Sequence, residues 1–196
     1  MSDKRTIAVY DARAQAYLDL VSKDTPDADL QAFLDAMPEG GRALDLGCGP
    51  GNSAAMMRDA GLQVDAWDAS SQMVQIARTK YKLDARKAVF DDLDAEAVYD
   101  GIWANFSLLH APKSDMPRHL AAIKRALKPG GVFHIGMKLG EEDQRDSIGR
   151  LYAYYTLEKL KTYLTDAGFT PHTTREGAEA GLSGEVAPFA IILSDA

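Results

Sequence analysis

The sequence feature that most restricts the fold is a short apolar segment that contains one acidic residue and runs directly into three glycines. Residues 43–52 read Ala-Leu-Asp-Leu-Gly-Cys-Gly-Pro-Gly-Asn. The apolar part predicts a buried strand, and the amphipathic stretch after the glycines predicts a helix. Glycines at such a turn let a ligand approach the backbone, and the start of the helix supplies unpaired N–H donors. The segment therefore indicates a nucleotide-binding α/β protein, with a structural turn that holds no ligand as the alternative.

Short apolar runs alternate with amphipathic stretches along the chain, which is typical of the α/β class. The candidate strands are residues 43–46, 62–67, 88–90, 101–106, 132–137, 169–174 and 186–193. Several of them are apolar throughout, which favours a parallel sheet covered by helices on both faces. Helices are predicted at residues 7–21, 27–36, 52–60, 71–81, 114–127 and 156–167.

Capping residues support these helix boundaries. Ser70 or Ser71 is predicted to cap the helix at 71–81, and Thr156 begins the last helix. Gly168 follows that helix, where a left-handed glycine belongs, and Lys-Pro-Gly-Gly at 128–131 predicts a sharp stop before the next strand. We expect one domain over residues 1–196, with a helical cap at 1–39 and a Rossmann-like core at 40–196.

Composition excludes several classes of protein. The 22 basic and 29 acidic side chains give a net charge of -7, and no cluster of Lys and Arg stands out, which opposes a nucleic-acid partner. The single cysteine, Cys48, cannot form an internal disulfide and has no Cys or His neighbour at metal-ligand spacing, so we expect no metal. No signal peptide or long apolar run occurs, and we expect a cytoplasmic protein without a membrane segment.

Spacing and charge distinguish among the ligands that a glycine turn can bind. The pattern here is G-x-G-x-G, and Asn52 stands where a dinucleotide-binding turn needs its third small residue. Asp45 is badly placed for a pyrophosphate and well placed for an ammonium or sulfonium group. Asp68, about twenty residues beyond the turn, can accept hydrogen bonds from a ribose diol. Asp91 and Asp92 can accept from an adenine amine, and a solvated strand end is the alternative for all three later carboxylates.

These motifs resemble those of the class I S-adenosylmethionine-dependent methyltransferases. The residues that carry the resemblance are D-L-G-C-G-P-G at 45–51, Asp68, F-D-D-L at 90–93 and L-K-P-G-G at 127–131, and it extends from about residue 40 to the end of the chain. The resemblance implies strand order 3-2-1-4-5-7-6 with an antiparallel last strand. It also implies S-adenosylmethionine as cofactor, S-adenosylhomocysteine as product, and in-line methyl transfer to a small-molecule acceptor.

The resemblance also implies roles for individual residues. Asp45, Gly47 and Gly49 are expected around the methionine part of the cofactor, Asp68 at the ribose, and Asp91 or Asp92 beside the adenine. The other expected cofactor contacts are Cys48, Ala69, Leu93, Asn105 and Tyr17. Cys48 fits this turn as a small residue rather than as a nucleophile.

The acceptor site is predicted from three segments, residues 10–17, 105–110 and 138–155, which should meet above the carboxyl ends of the strands. Residues 10–17 resemble the cap of family members that methylate small molecules, including the tellurite-resistance and ubiquinone-biosynthesis types. His110 follows the fourth strand as a candidate general base, with a structural histidine as the alternative. Arg150 and nearby tyrosines favour an anionic or aromatic acceptor. The candidate substrate-binding residues are Tyr10, His110, Lys138, Arg150 and Tyr152.

Two other functions remain open at this point. A nicotinamide-dependent Rossmann oxidoreductase shares half of the fold and the acidic residue after the second strand, although the glycine spacing and Asp45 oppose it. A protein that binds S-adenosylmethionine without catalysis has the same binding motifs. Residues 105–110, Asn-Phe-Ser-Leu-Leu-His, depart from the pattern of enzymes that methylate nucleic-acid amines, which again opposes a nucleic-acid acceptor. The oligomeric state and the identity of the acceptor are left open.

Overall fold

The apolar segments form the strands of a seven-stranded sheet in the computed structural model, which describes residues 3–196. Its strands are β1 (Arg42–Leu46), β2 (Gln63–Asp68), β3 (Ala85–Lys87), β4 (Tyr99–Asn105), β5 (Leu127–Lys138), β8 (Thr170–Ala180) and β9 (Val186–Asp195). The two-residue strands β6 (Gln144–Arg145) and β7 (Leu151–Tyr152) form a separate antiparallel hairpin.

The strand order in the sheet is β3-β2-β1-β4-β5-β9-β8. Strands β1 to β5 run parallel, and β9 runs antiparallel to its neighbours β5 and β8. Without the small hairpin this is order 3-2-1-4-5-7-6, so the predicted Rossmann-like sheet is confirmed. The chain leaves β1 in one direction towards β2 and later returns on its other side as β4. Ligands bind in α/β proteins at the carboxyl edge of such a switch point.

Seven α-helices connect or cover the strands of the described chain. They are α1 (Lys4–Ala12), α2 (Ala14–Val21), α3 (Ala28–Ala36), α4 (Asn52–Asp59), α5 (Ser71–Lys80), α6 (Met116–Ala126) and α7 (Leu157–Asp166). The predicted caps are confirmed: the hydroxyl oxygens of Ser70 and Thr156 each accept a backbone N–H at 3.2 Å, and Gly168 has φ 85°. Within residues 3–196, no helix is long and apolar enough to cross a membrane.

The structure corrects two of the predicted elements near the cap and the third strand. The single helix expected at residues 7–21 is two helices, because Arg13 leaves the helical region with φ −118° and ψ 20°. The strand expected at residues 88–90 is wrong: the third strand is β3, and Phe90–Asp92 is a single 3₁₀ turn. The predicted boundary between residues 39 and 40 falls just before β1 and stays a prediction, and residues 1 and 2 lie outside the described residues.

The Lys-Pro-Gly-Gly segment also behaves differently from its prediction. It lies inside β5, where Leu127 is opposite Tyr99 of β4 and Val132 is already opposite Gly101. The chain from 128 to 131 is therefore an irregularity within the strand, because β5 uses more residues than β4 over the same distance. The proline and glycines therefore lie at a distortion within β5 and not, as predicted, at a stop before the strand.

Helix α3 packs directly on the backbone of β4. Phe33 is fully buried and stacks edge-on against Trp103, and Met37 lies beside it. A Cβ atom added at Gly101 would lie 2.3 Å from Met37 Sδ and 2.7 Å from Phe33 Cζ. The absent side chain at Gly101 thus creates the space that α3 fills.

We expect Gly101→Ala to destabilise the protein by about 1–3 kcal/mol, because the added methyl group overpacks a filled core. Denaturant unfolding monitored by tryptophan fluorescence measures this free energy. Gly181→Ala is the matched control: its nearest atom, Arg150 Nη2, is 3.8 Å away, and we expect a change within about 0.5 kcal/mol. Equal stability of the two variants would contradict the packing described for α3.

Candidate functional site

Two adjoining cavities lie at the carboxyl edge of β1, β2 and β4. The first cavity borders the end of β2 and the segment after β3, and its lining includes Asp68, Ala69, Ser70, Val89, Phe90 and His110. The second cavity has a volume of about 490 Å³, which suits a metabolite-sized ligand, and its lining includes Asp45, Cys48, Lys138, Arg150 and Tyr152. The residues that border both are Tyr10, Tyr17, Gly47, Gly49, Asn105 and Phe106.

The glycine turn is fixed by contacts on three sides. The backbone N–H groups of Gly47 and Cys48 both donate to the carbonyl oxygen of Trp67 at 2.8 Å. Gly47 has φ 85°, and a Cβ atom there would lie 2.3 Å from Ser107 Cβ. Gly49 has φ 54° and faces the ring of Tyr17, 3.3 Å from the position that a Cβ would take. Both positions thus require glycine. A side chain at Gly47 would collide with Ser107, and one at Gly49 would crowd Tyr17.

Asp68 ties the glycine turn to the start of α5. Its Oδ2 accepts from the Gly49 N–H at 2.8 Å, and its Oδ1 accepts from the Ser70 N–H at 2.8 Å. Each carboxylate oxygen has a second lone pair, so Asp68 can still accept hydroxyl groups from the first cavity. Burial raises the pKa of this carboxyl to about 6.

Asp45 is the most deeply buried acidic group of the site. Its side chain is 3% exposed, and Oδ2 has no hydrogen-bond partner among the described residues. Burial and, secondarily, the nearby charge of Asp68 raise the pKa of Asp45 to about 8. A buried carboxyl with one unpartnered oxygen that borders a cavity suits a cationic ligand group, because a charge-assisted hydrogen bond would satisfy that oxygen.

Asn105 is held at the end of β4 by the neighbouring strand. His134 of β5 donates from Nε2 to Asn105 Oδ1 at 3.1 Å, and the His134 ring stacks on Trp103 with centroids 3.5 Å apart. Burial lowers the pKa of His134 to about 3, so the ring is neutral. A Cβ atom at Gly136 would lie 2.4 Å from Asn105 Oδ1. These contacts fix the amide where it borders both cavities.

His110 belongs to a partly buried hydrogen-bonded chain. Its Nδ1 donates to the carbonyl oxygen of Leu151 at 2.6 Å, so Nε2 accepts from the Tyr10 hydroxyl at 2.8 Å. Arg150 Nη1 donates to that same hydroxyl oxygen at 2.8 Å, and the Arg150 guanidinium is paired with the buried carboxylate of Asp146. Burial lowers the pKa of His110 to about 4 and raises that of Tyr10 to about 12. All of these side chains are therefore committed to one another at neutral pH.

Helix α1 lies across the first cavity and is fastened at both ends. Asp3 accepts two hydrogen bonds from Arg145, and the Thr6 hydroxyl accepts from the Leu151 N–H at 2.8 Å. At the other end, Asp11 accepts from the Ser70 hydroxyl at 2.6 Å and from the Gln72 N–H at 3.1 Å. The helix thus bridges the β6–β7 hairpin and the start of α5.

The structure brings most predicted residues to the two cavities but not those expected beside the adenine. Asp91 pairs with Arg118, Asp92 accepts from its own turn at Val89, and Leu93 is buried in the main core. None of these three borders either cavity, and Val89 and Phe90 line the first cavity in their place. This difference follows from the 3₁₀ turn at Phe90–Asp92, which takes the place of the expected strand end.

Cys48 has the surroundings of a structural residue. It is 6% exposed, and burial raises the pKa of its thiol, which disfavours the nucleophilic thiolate. Within the described part of the chain, no three His, Cys, Asp or Glu side chains are grouped as metal ligands. Cys48 therefore acts as a small residue that fits the glycine turn.

Phe106 and Asp146 lie within the predicted acceptor segments 105–110 and 138–155 but were not among the predicted site residues. Phe106 borders both cavities in a left-handed conformation with φ 52°, which is uncommon for a bulky residue and has no sequence signature. Asp146 pairs with Arg150 across the connection between β6 and β7, where i,i+4 spacing carries no helical signal that could have identified it.

Comparison with known proteins agrees with this architecture. Residues 43–131 match the family model described as a methyltransferase domain. The chain is 31% identical over 135 residues to a malonyl-[acyl-carrier protein] O-methyltransferase of Pseudescherichia vulneris, covering 66% of this chain and 52% of that protein. It is 34% identical over 146 residues to the cypemycin N-terminal methyltransferase of a Streptomyces species, covering 70% and 60%. The chain thus spans between half and two thirds of these relatives.

A solved structure extends the similarity to almost the whole fold. The 1,6-didemethyltoxoflavin-N1-methyltransferase of Burkholderia thailandensis superposes with a TM-score of 0.71 at 23% identity, over 96% of this chain and 87% of that one. The sheet order, the glycine turn and these matches have one consistent explanation. Residues 43–131 belong to the methyltransferase domain family, and the chain has the fold of the class I S-adenosylmethionine-dependent methyltransferases.

We expect Asp45→Asn to make the ligand-free protein more stable at pH 8, by about 1–3 kcal/mol, because it removes a buried charge that no cation of the protein pairs with. The folded-state pKa of Asp45 is raised, so the wild-type protein loses stability as the pH rises from about 4 to 8. Thermal denaturation across this pH range measures the effect. Asp84→Asn, at an exposed position, is the control. An Asp45→Asn curve parallel to that of the wild type would contradict the buried ionisation.

Proposed function

We propose that this protein binds S-adenosylmethionine across the two cavities and transfers its methyl group to a small molecule in the second cavity. The observation that carries the proposal is the buried carboxyl of Asp45, whose Oδ2 has no partner and which lines the cavity beside the glycine turn. A cofactor with an ammonium and a sulfonium group supplies the positive charge that this carboxyl requires. When bound, it supplies an electrophilic methyl group.

The cavities support a specific placement of the cofactor. Asp45, Gly47 and Gly49 would contact the methionine part, and Asp68 would accept from the ribose hydroxyls with its remaining lone pairs. Val89 and Phe90 would line the adenine, in place of the Asp91 and Asp92 contacts expected from the sequence. Ala69, Asn105 and Tyr17 border the first cavity and complete the proposed set.

The contribution of the protein to the reaction is mainly positioning. Holding the acceptor atom in line with the methyl group is worth about 7–11 kcal/mol in favourable cases. Helix α1 and the half-buried rings of Tyr10 and Tyr17 line the cavity and would exclude water from the reacting atoms. Direct methyl transfer requires no nucleophilic side chain of the protein, unlike group transfers that pass through a covalent enzyme intermediate.

We propose a positioning role for His110 in place of the general base expected from the sequence. Its Nδ1 donates to Leu151, and its Nε2 is occupied by the Tyr10 hydroxyl, so no lone pair of the ring faces an acceptor. His110 then holds Tyr10 over the cavities together with Arg150. The general base stays the alternative, and the two roles differ in their pH dependence.

The acceptor class and the cellular location are proposed from the named relatives, the charge balance and the cysteine content. The relatives named above include an O-methyltransferase, an N-terminal methyltransferase and an N1-methyltransferase, which supports methyl transfer but not one accepting atom. The acidic balance of the chain supports a small molecule rather than a nucleic acid. A cytoplasmic location is supported by the single, buried cysteine.

We expect Asp68→Asn to weaken binding of S-adenosylhomocysteine by about 10- to 100-fold, because charge-assisted hydrogen bonds to the ribose are lost. Isothermal titration calorimetry measures the affinity. Asp65→Asn, on the same strand but paired with Arg42 outside the cavities, should bind normally. Unchanged affinity in a folded Asp68→Asn protein would contradict the cofactor placement. Tighter binding of NAD(P)H than of S-adenosylhomocysteine would instead favour the oxidoreductase.

Transfer of label from methyl-labelled S-adenosylmethionine to a fractionated metabolite pool tests the activity and identifies the acceptor together. Labelled product should appear with the wild-type protein and be lost with Asp68→Asn. Cofactor binding without any labelled product would favour the non-catalytic alternative.

Once an acceptor is known, we expect His110→Asn to lower kcat by about tenfold, which corresponds to the loss of one partly buried hydrogen bond. The factor should be similar at every pH from 6 to 9. A positioning role predicts this uniform loss because the ring is neutral throughout that range. Tyr10→Phe should give the same profile. A loss confined to low pH, where the acceptor is un-ionised, would restore the general-base role.

A further inference from the structure

Four cationic side chains border the second cavity, and three of them are already neutralised. Lys23 pairs with Asp27 at 2.7 Å, Arg150 with Asp146 at 2.8 Å, and Arg175 makes two hydrogen bonds to Asp29. These three cations are therefore committed to protein carboxylates. The fourth cation is Lys138, at the end of β5.

Lys138 is buried but weakly satisfied. The residue is 6% exposed, and its ammonium contacts, among the described residues, are the carbonyl oxygens of Glu179 at 3.4 Å and Ala187 at 3.5 Å and the Glu179 carboxylate at 3.7 Å. Good N–H···O hydrogen bonds lie between about 2.7 and 3.2 Å. A buried ammonium with only long contacts retains its capacity to bind an anion.

Two aromatic rings frame this ammonium. Lys138 Nζ lies 5.1 Å from the ring centroid of Phe106 and 5.3 Å from that of Phe189, and the two rings meet edge to face. Phe106 reaches this position through its left-handed backbone, which is anchored by donation of its N–H to Gly136, two residues before Lys138. A strained residue that shapes a cavity wall beside a cation is typical of a ligand site.

The remaining lining of the second cavity suits an apolar body. Phe106, Leu109, Tyr17 and Tyr152 border the same cavity as Lys138. The Glu179 carboxylate, 3.7 Å from the Lys138 ammonium, disfavours a ligand with more than one negative charge. These features together describe a monoanion with an aromatic ring.

We infer that Lys138 binds the carboxylate of an aromatic methyl acceptor in the recess formed with Phe106, a conclusion that rests on the proposed function. Arg150, the anion-binding residue expected from the sequence, has a different task, because its guanidinium pairs with Asp146 and supports Tyr10. Glu179 occupies the edge of the recess and is displaced when the carboxylate binds.

The test uses 4-hydroxybenzoate and its uncharged amide, 4-hydroxybenzamide, as probes. Calorimetry is performed on the full chain saturated with S-adenosylhomocysteine, whose own titration comes first. We expect the carboxylate to bind at least about tenfold more tightly than the amide, and Lys138→Met to abolish this preference while S-adenosylhomocysteine affinity stays unchanged. Glu179→Gln should tighten carboxylate binding, because it removes the competing charge.

Lys23→Met is the matched control, since it removes a cation from the same cavity that is already paired, and it should keep the preference. Equal binding of carboxylate and amide, absence of binding by both, or a preference that survives in Lys138→Met would each overturn the inference. Failure of S-adenosylhomocysteine itself to bind would instead overturn the proposed function. Circular dichroism and the retained S-adenosylhomocysteine affinity show whether Lys138→Met is folded.

Discussion

The carbonyl oxygen of Trp67 accepts two backbone N–H groups, from Gly47 and Cys48, and the arrangement of the whole carboxyl edge depends on this junction. It turns the chain towards β2 as it leaves β1, which places the Gly49 N–H on the carboxylate of Asp68. On the other side, Gly47 leaves room for Ser107 after β4. Three strand ends are therefore joined through backbone atoms, the Asp68 carboxylate and the Ser107 hydroxyl, which donates to the carbonyl oxygen of Leu46 at 2.6 Å.

Burial governs the electrostatics of the site more strongly than pairing does. Asp45 and Asp68 have raised pKa values, and His110 and His134 have lowered ones, with desolvation as the largest cause in every case. Each shift favours the neutral form. A protein selected for stability alone has no reason to bury Asp45 with one oxygen unpartnered, and such a cost is typical of a group that meets its partner in a ligand.

The sequence was sufficient for the fold because parallel strands and caps have local signals. The apolar runs, the glycine turn and the Ser70 and Thr156 caps are properties of a few adjacent residues, and the strand order came from the family resemblance. The prediction of the third strand at residues 88–90 was wrong because these residues are apolar for a different reason. They line a cavity and pack in a 3₁₀ turn. Hydrophobicity alone does not distinguish the two.

The candidate site was less predictable because its contacts join distant parts of the chain. Residue types identified Asp45, Asp68 and Lys138 as candidates. No local pattern shows that Asp146 would pair with Arg150 or that Tyr10 would hydrogen-bond to His110. The conformation of Phe106 is also imposed from outside, by the carbonyl of Gly136. Which cation remains available to a ligand is thus a property of the assembled structure.

The attachment of α1 also has a consequence for the order in which the protein becomes functional. Its fastening to Arg145, Arg150 and Leu151 closes loops of about 140 residues, and contacts of such sequence separation form late because their closure entropy must be overcome first. During synthesis, the glycine turn and β2 emerge from the ribosome well before the β6–β7 hairpin that completes the cover. In a nascent chain, the carboxyl edge proposed to bind the cofactor is therefore available before α1 and the β6–β7 hairpin can cover it.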